Sequence, residues 1–365
     1  MKNENLSFLD IKKIVLNYYN LHLEKAEKVK HSSTSCYIIT CFEGKYFIKI
    51  FNHSKNVSKI EQEYNLLNHL KHKGFIVPSI IKTNQSDIYI CYKNHYIFLE
   101  NYIEGQTLEP QKISKDILIN SAKLLGQIHK SMARLYDDDN KELFWKCIDI
   151  EKEENFLNTI LKMIEKTTDD SNYLLIQNAI NHKKNMLDKL KKISKSFDGL
   201  TYLMTHGDYS KRNLIYSNEG KIAIVDFSDS DVYPAAWEVV RSYFFSTESC
   251  KNDIKFDYDL FVEYVKTYLK EFKLNVVDIE SMPYLLLYHI ILSRYGYREY
   301  IKNKDVTLLN FIEWKEKIAY FLEENAEKIV EKLKILIDWY FFKNKGTYIE
   351  KSKLLKISKI VYNYM

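Results

Sequence analysis

Thr205-His206-Gly207-Asp208-Tyr209-Ser210-Lys211-Arg212-Asn213, followed downstream by Ile224-Val225-Asp226-Phe227, is the stretch that decides the reading of this 365-residue chain. Asp208 and Asn213 are five residues apart, close enough to share one loop, and Asp226 follows thirteen residues after Asn213. The intervening segment reads as a hairpin: Leu214 to Tyr216, a polar Ser217-Asn218-Glu219-Gly220 turn, then Lys221 to Val225. Such a hairpin returns Asp226 to the loop. A carboxylate able to accept a proton from an alcohol, with an amide oxygen and a second carboxylate able to ligate Mg2+, is the set that phosphoryl transfer to a hydroxyl requires.

His-Gly-Asp-x-x-x-x-Asn with a downstream Asp-Phe, behind the apolar run Leu200 to Met204, resembles the aminoglycoside phosphotransferase and choline kinase-like family. Those proteins are small-molecule kinases on a protein-kinase-like fold. The resemblance implies an α+β, two-lobed architecture with a small N-terminal β-rich lobe, residues 1–101, and a large, mostly helical C-terminal lobe, residues 102–365. It implies ATP and Mg2+ as cofactors, Asp208 as catalytic base, and Asn213 and Asp226 as magnesium ligands. Gly207 stands where protein kinases carry the arginine on which a phosphorylated activation segment docks. That argues against a protein kinase, and the intact Asp208, Asn213 and Asp226 argue against a pseudokinase scaffold.

Upstream, an amphipathic stretch from Phe8 to Leu23 precedes strands expected at Val29 to His31, Cys36 to Phe42 and Lys45 to Phe51. Alternation puts Phe47, Lys49 and Phe51 on one face and Tyr46, Ile48 and Ile50 on the other. A lysine between phenylalanines on a strand face is costly unless its ammonium meets an anion. By the resemblance that anion is the nucleotide phosphate, with Glu63, on the helix expected from Ser58 to Leu70, as the ion-pair partner. Strands at Asp87 to Tyr92 and Tyr96 to Asn101 lead into Phe98-Leu99-Glu100-Asn101-Tyr102-Ile103-Glu104-Gly105, which resembles the family's hinge, so Glu100 and Tyr102 are expected to meet the adenine through their backbone. The loop His31-Ser32-Ser33-Thr34-Ser35-Cys36 holds none of the glycines usual in a phosphate-covering loop; its hydroxyls and amides are left to meet the β-phosphate.

From Ile113 onward the pattern is helical: Ile113 to Met132, with His129 on its apolar face, then Glu151 to Lys166, Tyr173 to Lys195 and Tyr284 to Ile301. Pro234 is placed to open a helix. There Glu238-Val239-Val240 stands where the family has Asp-Leu-Ala, keeping a carboxylate to tie this helix to the catalytic loop; Glu238 and Arg241, three apart, are also spaced to pair with each other.

The chain has only five arginines, Arg134, Arg212, Arg241, Arg294 and Arg298, and four lie within or after the catalytic loop. Arg294 and Arg298, four apart on one expected helix, either hold an anionic substrate group or pair with carboxylates of the helical lobe, the preferred reading. A cationic acceptor would instead use Asp229, Asp231, Tyr233, Trp237 and Trp314.

Composition sets the remaining bounds. With 46% hydrophobic and 28% charged residues the chain can bury a sizeable core. Five scattered cysteines with no CxxC indicate neither a disulfide framework nor a zinc site. No apolar h-region follows Met1-Lys2-Asn3-Glu4-Asn5, and no uninterrupted apolar run approaches roughly 18 residues, so a cytoplasmic protein without membrane attachment is expected. The net charge of +5 comes from lysines interspersed with glutamates, which reads as solvated faces and not as a nucleic-acid surface. Nine glycines and four prolines leave no flexible linker. The expected partner is a small hydroxyl acceptor such as an antibiotic, an amino alcohol, a homoserine-like compound or a sugar, and the expected assembly is a monomer or homodimer. A spore-coat-type kinase-like protein is the remaining alternative.

Overall fold

Ser7 opens the first helix, α1 (Phe8–Tyr19), with a reciprocal cap: its hydroxyl accepts the Asp10 N–H at 3.1 Å, and the Asp10 carboxylate accepts the Ser7 N–H at 3.0 Å. In this computed structural model the described residues are 6–29, 35–52, 57–109, 112–135, 145, 147–166, 172–217, 219–250 and 253–342. They divide into two compact units, Met1–Leu108 with Arg212–Ser230, and Glu109–Lys211 with Asp231–Met365.

The first unit is built on a six-stranded antiparallel sheet: β1 (Leu23–Lys28), β2 (Ser35–Cys41), β3 (Gly44–Asn52), β4 (Ile80–Ile81), β5 (Ile90–Tyr92) and β6 (His95–Asn101). Strands β1, β2, β3 and β6 follow one another, and β4 and β5 share the far edge of β6. The first strand among the described residues runs from Leu23 to Lys28; of the strand expected at Val29 to His31, residues 30 and 31 lie outside the described residues. In Leu-Glu-Lys-Ala-Glu-Lys only Leu23 is fully buried, so its charged outer face hides the strand period in the sequence. Residues 31–34, including most of the expected phosphate loop, lie outside the described residues.

Helix α1 lays Ile11, Ile14, Val15 and Tyr19 against Ile39, Ile48, Ile50, Ile97 and Leu99, closing one face of the sheet as an apolar core. That choice of face assigns Lys49, between Ile48 and Ile50, to the other side. Helix α2 (Val57–His72) buries Ile60, Glu63, Leu66, Leu67 and Leu70, a helical stripe whose single charged member is Glu63.

The first unit does not stop at Asn101. Gln106 exchanges backbone hydrogen bonds with Tyr216 at 3.1 and 2.9 Å, tying on the hairpin β8 (Leu214–Tyr216) and β9 (Ile222–Ile224). Gly105, at φ +146°, permits this approach: a Cβ there would lie 2.6 Å from the Ile215 side chain and 2.7 Å from the Tyr216 carbonyl. The Ile224 N–H also donates to the Ile76 carbonyl at 2.9 Å. Segment 212–230 therefore packs with the strands although it follows a hundred residues of the helical unit.

The second unit contains α3 (Lys115–Met132), α4 (Ile150–Glu165), α5 (Tyr173–Ile193), the paired strands β7 (Tyr202–Met204) and β10 (Val232–Pro234), and then α6 (Ala235–Ser246), α7 (Tyr258–Glu271), α8 (Val276–Leu292), α9 (Tyr297–Asn303) and α10 (Val306–Phe342). Pro234 caps α6 as expected. The helix expected from Tyr284 to Ile301 is instead two helices: α8 ends at Leu292, and α9 begins after Gly296, at φ +102°. The break is stabilised from afar. Lys183 donates to the carbonyls of Ile290, Ile291 and Ser293 at 2.7, 2.9 and 3.2 Å, and Lys315 to that of Tyr295 at 2.9 Å, so the orphan carbonyls of α8 have partners no local sequence signal could reveal. The segment Val276–Asn303 is long and apolar enough by composition to cross a membrane, and 67% of its most apolar window is buried within the unit.

Candidate active site

In the first unit the site is a buried cation among carboxylates. Lys49 Nζ lies 2.7 Å from Glu63 Oε1, 3.1 Å from Glu100 Oε1 and 3.4 Å from Asp226 Oδ1. Lys49 and Glu63 are 2% and 3% exposed, whereas the Asp226 side chain is 46% exposed, so the inner pair is sealed and the outer carboxylate faces solvent. Burial alone would lower the pKa of Lys49; the charges of Glu100, Glu63 and Asp226 outweigh it and hold the ammonium well above its ordinary value. Phe98 packs beneath, its ring centroid 5.7 Å from Nζ, and stacks on Phe51.

Glu100 differs from its sequence reading. Its backbone is flanked by Phe47 of β3 on one side and Ile80 of β4 on the other, inside the sheet. Its side chain joins the Lys49 cluster as an ion-pair contact without hydrogen-bond alignment, and burial, opposed by Lys49, raises its pKa to about 7. The Tyr102 N–H is likewise taken, donating to the Lys45 carbonyl at 3.3 Å. The signal for Glu100 was present: it shares a strand face with Phe98, which sits directly opposite Lys49.

Asn213 and Asp226 stand at the two ends of the β8–β9 hairpin. Leu214 pairs with Ile224, and the Val225 N–H donates to the Asn213 carbonyl at 3.0 Å. Asp226 adopts a left-handed backbone, φ +64°, which turns the chain immediately after the strand; Ser228 Oγ donates to its Oδ1 at 2.9 Å. Lys59 and Gln62 of α2 donate to the Ser230 carbonyl at 3.2 and 2.8 Å, anchoring the segment beyond. Among the described residues no group of three His, Cys, Asp or Glu is arranged to hold a metal. An amide oxygen and a carboxylate are hard donors that fit Mg2+, which takes few protein ligands and fills its shell with phosphate oxygens and water.

In the second unit the loop carrying Asp208 is held by Glu238. This carboxylate accepts the N–H groups of His206 and Gly207 at 3.0 and 2.6 Å, and the ring of His129 at 2.8 Å; the other His129 nitrogen meets the Tyr268 hydroxyl at 2.7 Å. Burial would raise the Glu238 pKa, but the His129 bond and the histidine charges outweigh it and keep the group ionised. Gly207 sits at φ +82°, and the Asp208 N–H donates to His206 Nδ1 at 3.2 Å. Glu238 and Arg241 therefore do not pair with each other. Arg241 forms its ion pair with Asp208, a contact that the sequence reading missed because it joins positions 33 residues apart.

The other expected site residues are placed elsewhere. Arg294 is bidentate on Glu153, at 3.2 Å from Nε and 2.6 Å from Nη2, and Arg294 and Arg298 both lie over the Phe156 ring, at 4.6 and 5.1 Å. The pairing of Arg294 is structural; Arg294 lies in the break between α8 and α9, and Arg298 lies in α9. Trp314 donates to the Cys250 carbonyl at 2.5 Å, and the Asp231 carboxylate accepts the Val232 N–H.

A small antiparallel sheet with a buried lysine–glutamate pair, an Asn and an Asp bracketing a hairpin, and an aspartate loop fixed to a helix define a phosphotransferase of the protein-kinase-like class. The model of the APH family, the phosphotransferase enzyme family, matches residues 29–268, and the chain belongs to that family. No curated protein matches its sequence. Among solved structures it is similar to the amicoumacin kinase hAmiN in complex with AMP-PNP, Ca2+ and Ami, at 14% identity and TM-score 0.62, covering 86% of this chain and 93% of that one. It is similar to a Plasmodium vivax ethanolamine kinase, at 13% identity and TM-score 0.61, covering 87% and 91%. The AMP-bound spectinomycin phosphotransferase follows at 16% identity and TM-score 0.60, covering 87% and 99%. At these identities the likeness establishes the shared fold.

Proposed function

We propose that the protein transfers the γ-phosphoryl group of ATP, with Mg2+, to a hydroxyl of a small molecule. The observation that carries this is Lys49: a fully buried ammonium kept charged by Glu63, Glu100 and Asp226 is a pre-formed partner for nucleotide phosphates. Lys49 would hold the α- and β-phosphates, oriented by Glu63. Asn213 and Asp226 would supply the protein oxygens to Mg2+, which neutralises charge on the phosphates when bound. Asp208 would take the acceptor's hydroxyl proton as the oxygen–γ-phosphorus bond forms and the bond to the ADP oxygen breaks. Catalysis on this scheme comes mainly from positioning and charge neutralisation.

The test is ATP-dependent phosphate transfer to a panel of aminoglycosides, macrolides, amino alcohols, homoserine and sugars, run with wild type and Asp208→Asn. The variant is expected to lose about 10² to 10⁴-fold in turnover while binding ATP as before. Turnover above half of wild type would remove Asp208 from the role of base.

A further inference from the structure

Arg241 carries more donors than its surroundings satisfy. Nη2 is committed to Asp208, but Nε and Nη1 are buried and have no hydrogen-bond partner among the described residues. The guanidinium carbon lies over aromatic faces, 4.3 Å from the Phe245 ring centroid and 5.7 Å from that of Trp237. Two further buried nitrogens beside it, Trp237 Nε1 and His289 Nδ1, also have no partner among the described residues, and the Trp237 and His289 rings are 5.0 Å apart. Orphaned buried donors are rare because each forfeits its hydration, and Arg241 Nε, Arg241 Nη1 and Trp237 Nε1 together mark a missing acceptor.

Charge says which acceptor is missing. Burial, then the positive charges of Arg241, Lys315 and Lys183, push the His289 pKa down to about 3, so this buried ring is neutral imidazole in a cationic field. Lys183 and Lys315 donate to backbone carbonyls, and burial, opposed by the charge of Glu316, lowers their pKa values to about 8 and about 7. Glu238 is spent on the His206 and Gly207 amides and on His129. Among the described residues Asp208 is the carboxylate paired with Arg241, and it is also the group read above as facing the acceptor hydroxyl. A planar fork with open donors suits a carboxylate or phosphate.

We propose that Arg241, with Trp237 and His289 beside it, binds an anionic group of the acceptor, so that the substrate is a small hydroxy acid or hydroxy phosphate whose charge lies a few bonds from the phosphorylated hydroxyl. This rests on the reading of Asp208 as the base. The other arginine considered for an anion, Arg294, is occupied by Glu153, in line with the preferred reading of that position.

The experiment uses the full chain with acceptors matched except for charge: glycerate and glycerol 3-phosphate against glyceramide, glycerol and ethanolamine. Each is assayed for phosphate transfer from ATP and, with ADP and Mg2+ saturating the nucleotide site, for its effect on thermal stability. Glycerate or glycerol 3-phosphate is expected to exceed its neutral counterparts at least tenfold in kcat/KM and to raise Tm where they do not; the two arms separate carboxylate from phosphate. Arg241→Gln is expected to abolish that preference without changing the KM for ATP, and Arg241→Lys, which keeps the charge but not the fork, to weaken it should the glutamine variant fail to fold. Preference for a neutral acceptor or ethanolamine, equal Tm effects of charged and neutral compounds, or an Arg241→Gln loss equal for all acceptors would overturn the proposal and leave the kinase reading standing. Failure of wild type to bind MgATP would overturn both.

Discussion

The Gly207 N–H donates to Glu238 Oε1 at 2.6 Å, joining the loop that carries Asp208 to a helix 31 residues downstream. The same carboxylate also takes the His206 N–H and the His129 ring, so one buried anion sets the direction in which Asp208 leaves the loop. In Glu238→Gln a single oxygen remains and an NH2 group faces a donor. Turnover is expected to fall at least tenfold with little change in the KM for ATP, and stability by about 1 to 3 kcal/mol. Steady-state kinetics and urea unfolding check this; wild-type kcat would show that Glu238 does not position the loop.

Lys49→Met should leave Glu63 and Glu100 as buried carboxylates without their cation. Breaking a buried pair from one side costs about 3 to 5 kcal/mol, so a marked fall in Tm is expected, together with loss of the thermal protection that MgATP gives wild type. Protection equal to wild type would exclude Lys49 as the phosphate ligand.

At Asp226 the backbone and the ligand can be separated. The residue sits at φ +64°, a conformation asparagine tolerates well, so Asp226→Asn should fold as wild type while losing the carboxylate. Activity should fail even at high magnesium concentration. Wild-type-like magnesium dependence would move the ligand to Asp229 or Asp231.

Glu100 gives a pH signature in the nucleotide-free protein. Burial raises its folded pKa from 4.5 to about 7, so the protonated form is favoured in the fold: the stability it confers is fully present below about pH 4.5 and is lost as pH rises through about 7. Glu100→Gln, fixed in the neutral state, should gain stability relative to wild type as pH rises from 5 to 8, by on the order of 2 kcal/mol. Urea unfolding at several pH values checks the slope; parallel curves would mean that Glu100 does not titrate in this window.

Much of the candidate site could be proposed from sequence because the proposed phosphoryl transfer would constrain local spacing. Asp208, Asn213 and Asp226 lie within nineteen consecutive residues, with a hairpin as the only element between Asn213 and Asp226, so chain geometry brings the latter two together whatever else happens. Lys49 could be read from strand period, since isoleucines on both sides committed it to the opposite face, whereas Glu63 followed from the family resemblance, and its place in a buried helical stripe is seen in the structure. The strand at Leu23–Lys28 was not legible, because a half-exposed charged strand carries almost no hydrophobic signal. Nor was the break after Leu292, whose carbonyls are capped by lysines from two other helices.

The sequence alone thus determined the family, the two-part architecture and the identity of the residues expected to handle phosphate and metal, because these depend on side-chain type and on separations of a few residues. Tertiary structure alone decided their partners: Glu100 beside Lys49, Glu238 beneath the Asp208 loop, and Arg241 on Asp208 with donors left open. Those pairings join positions tens of residues apart, where no local periodicity operates. They arise because a charge excluded from water must find its counterpart among the groups that packing happens to bring within reach.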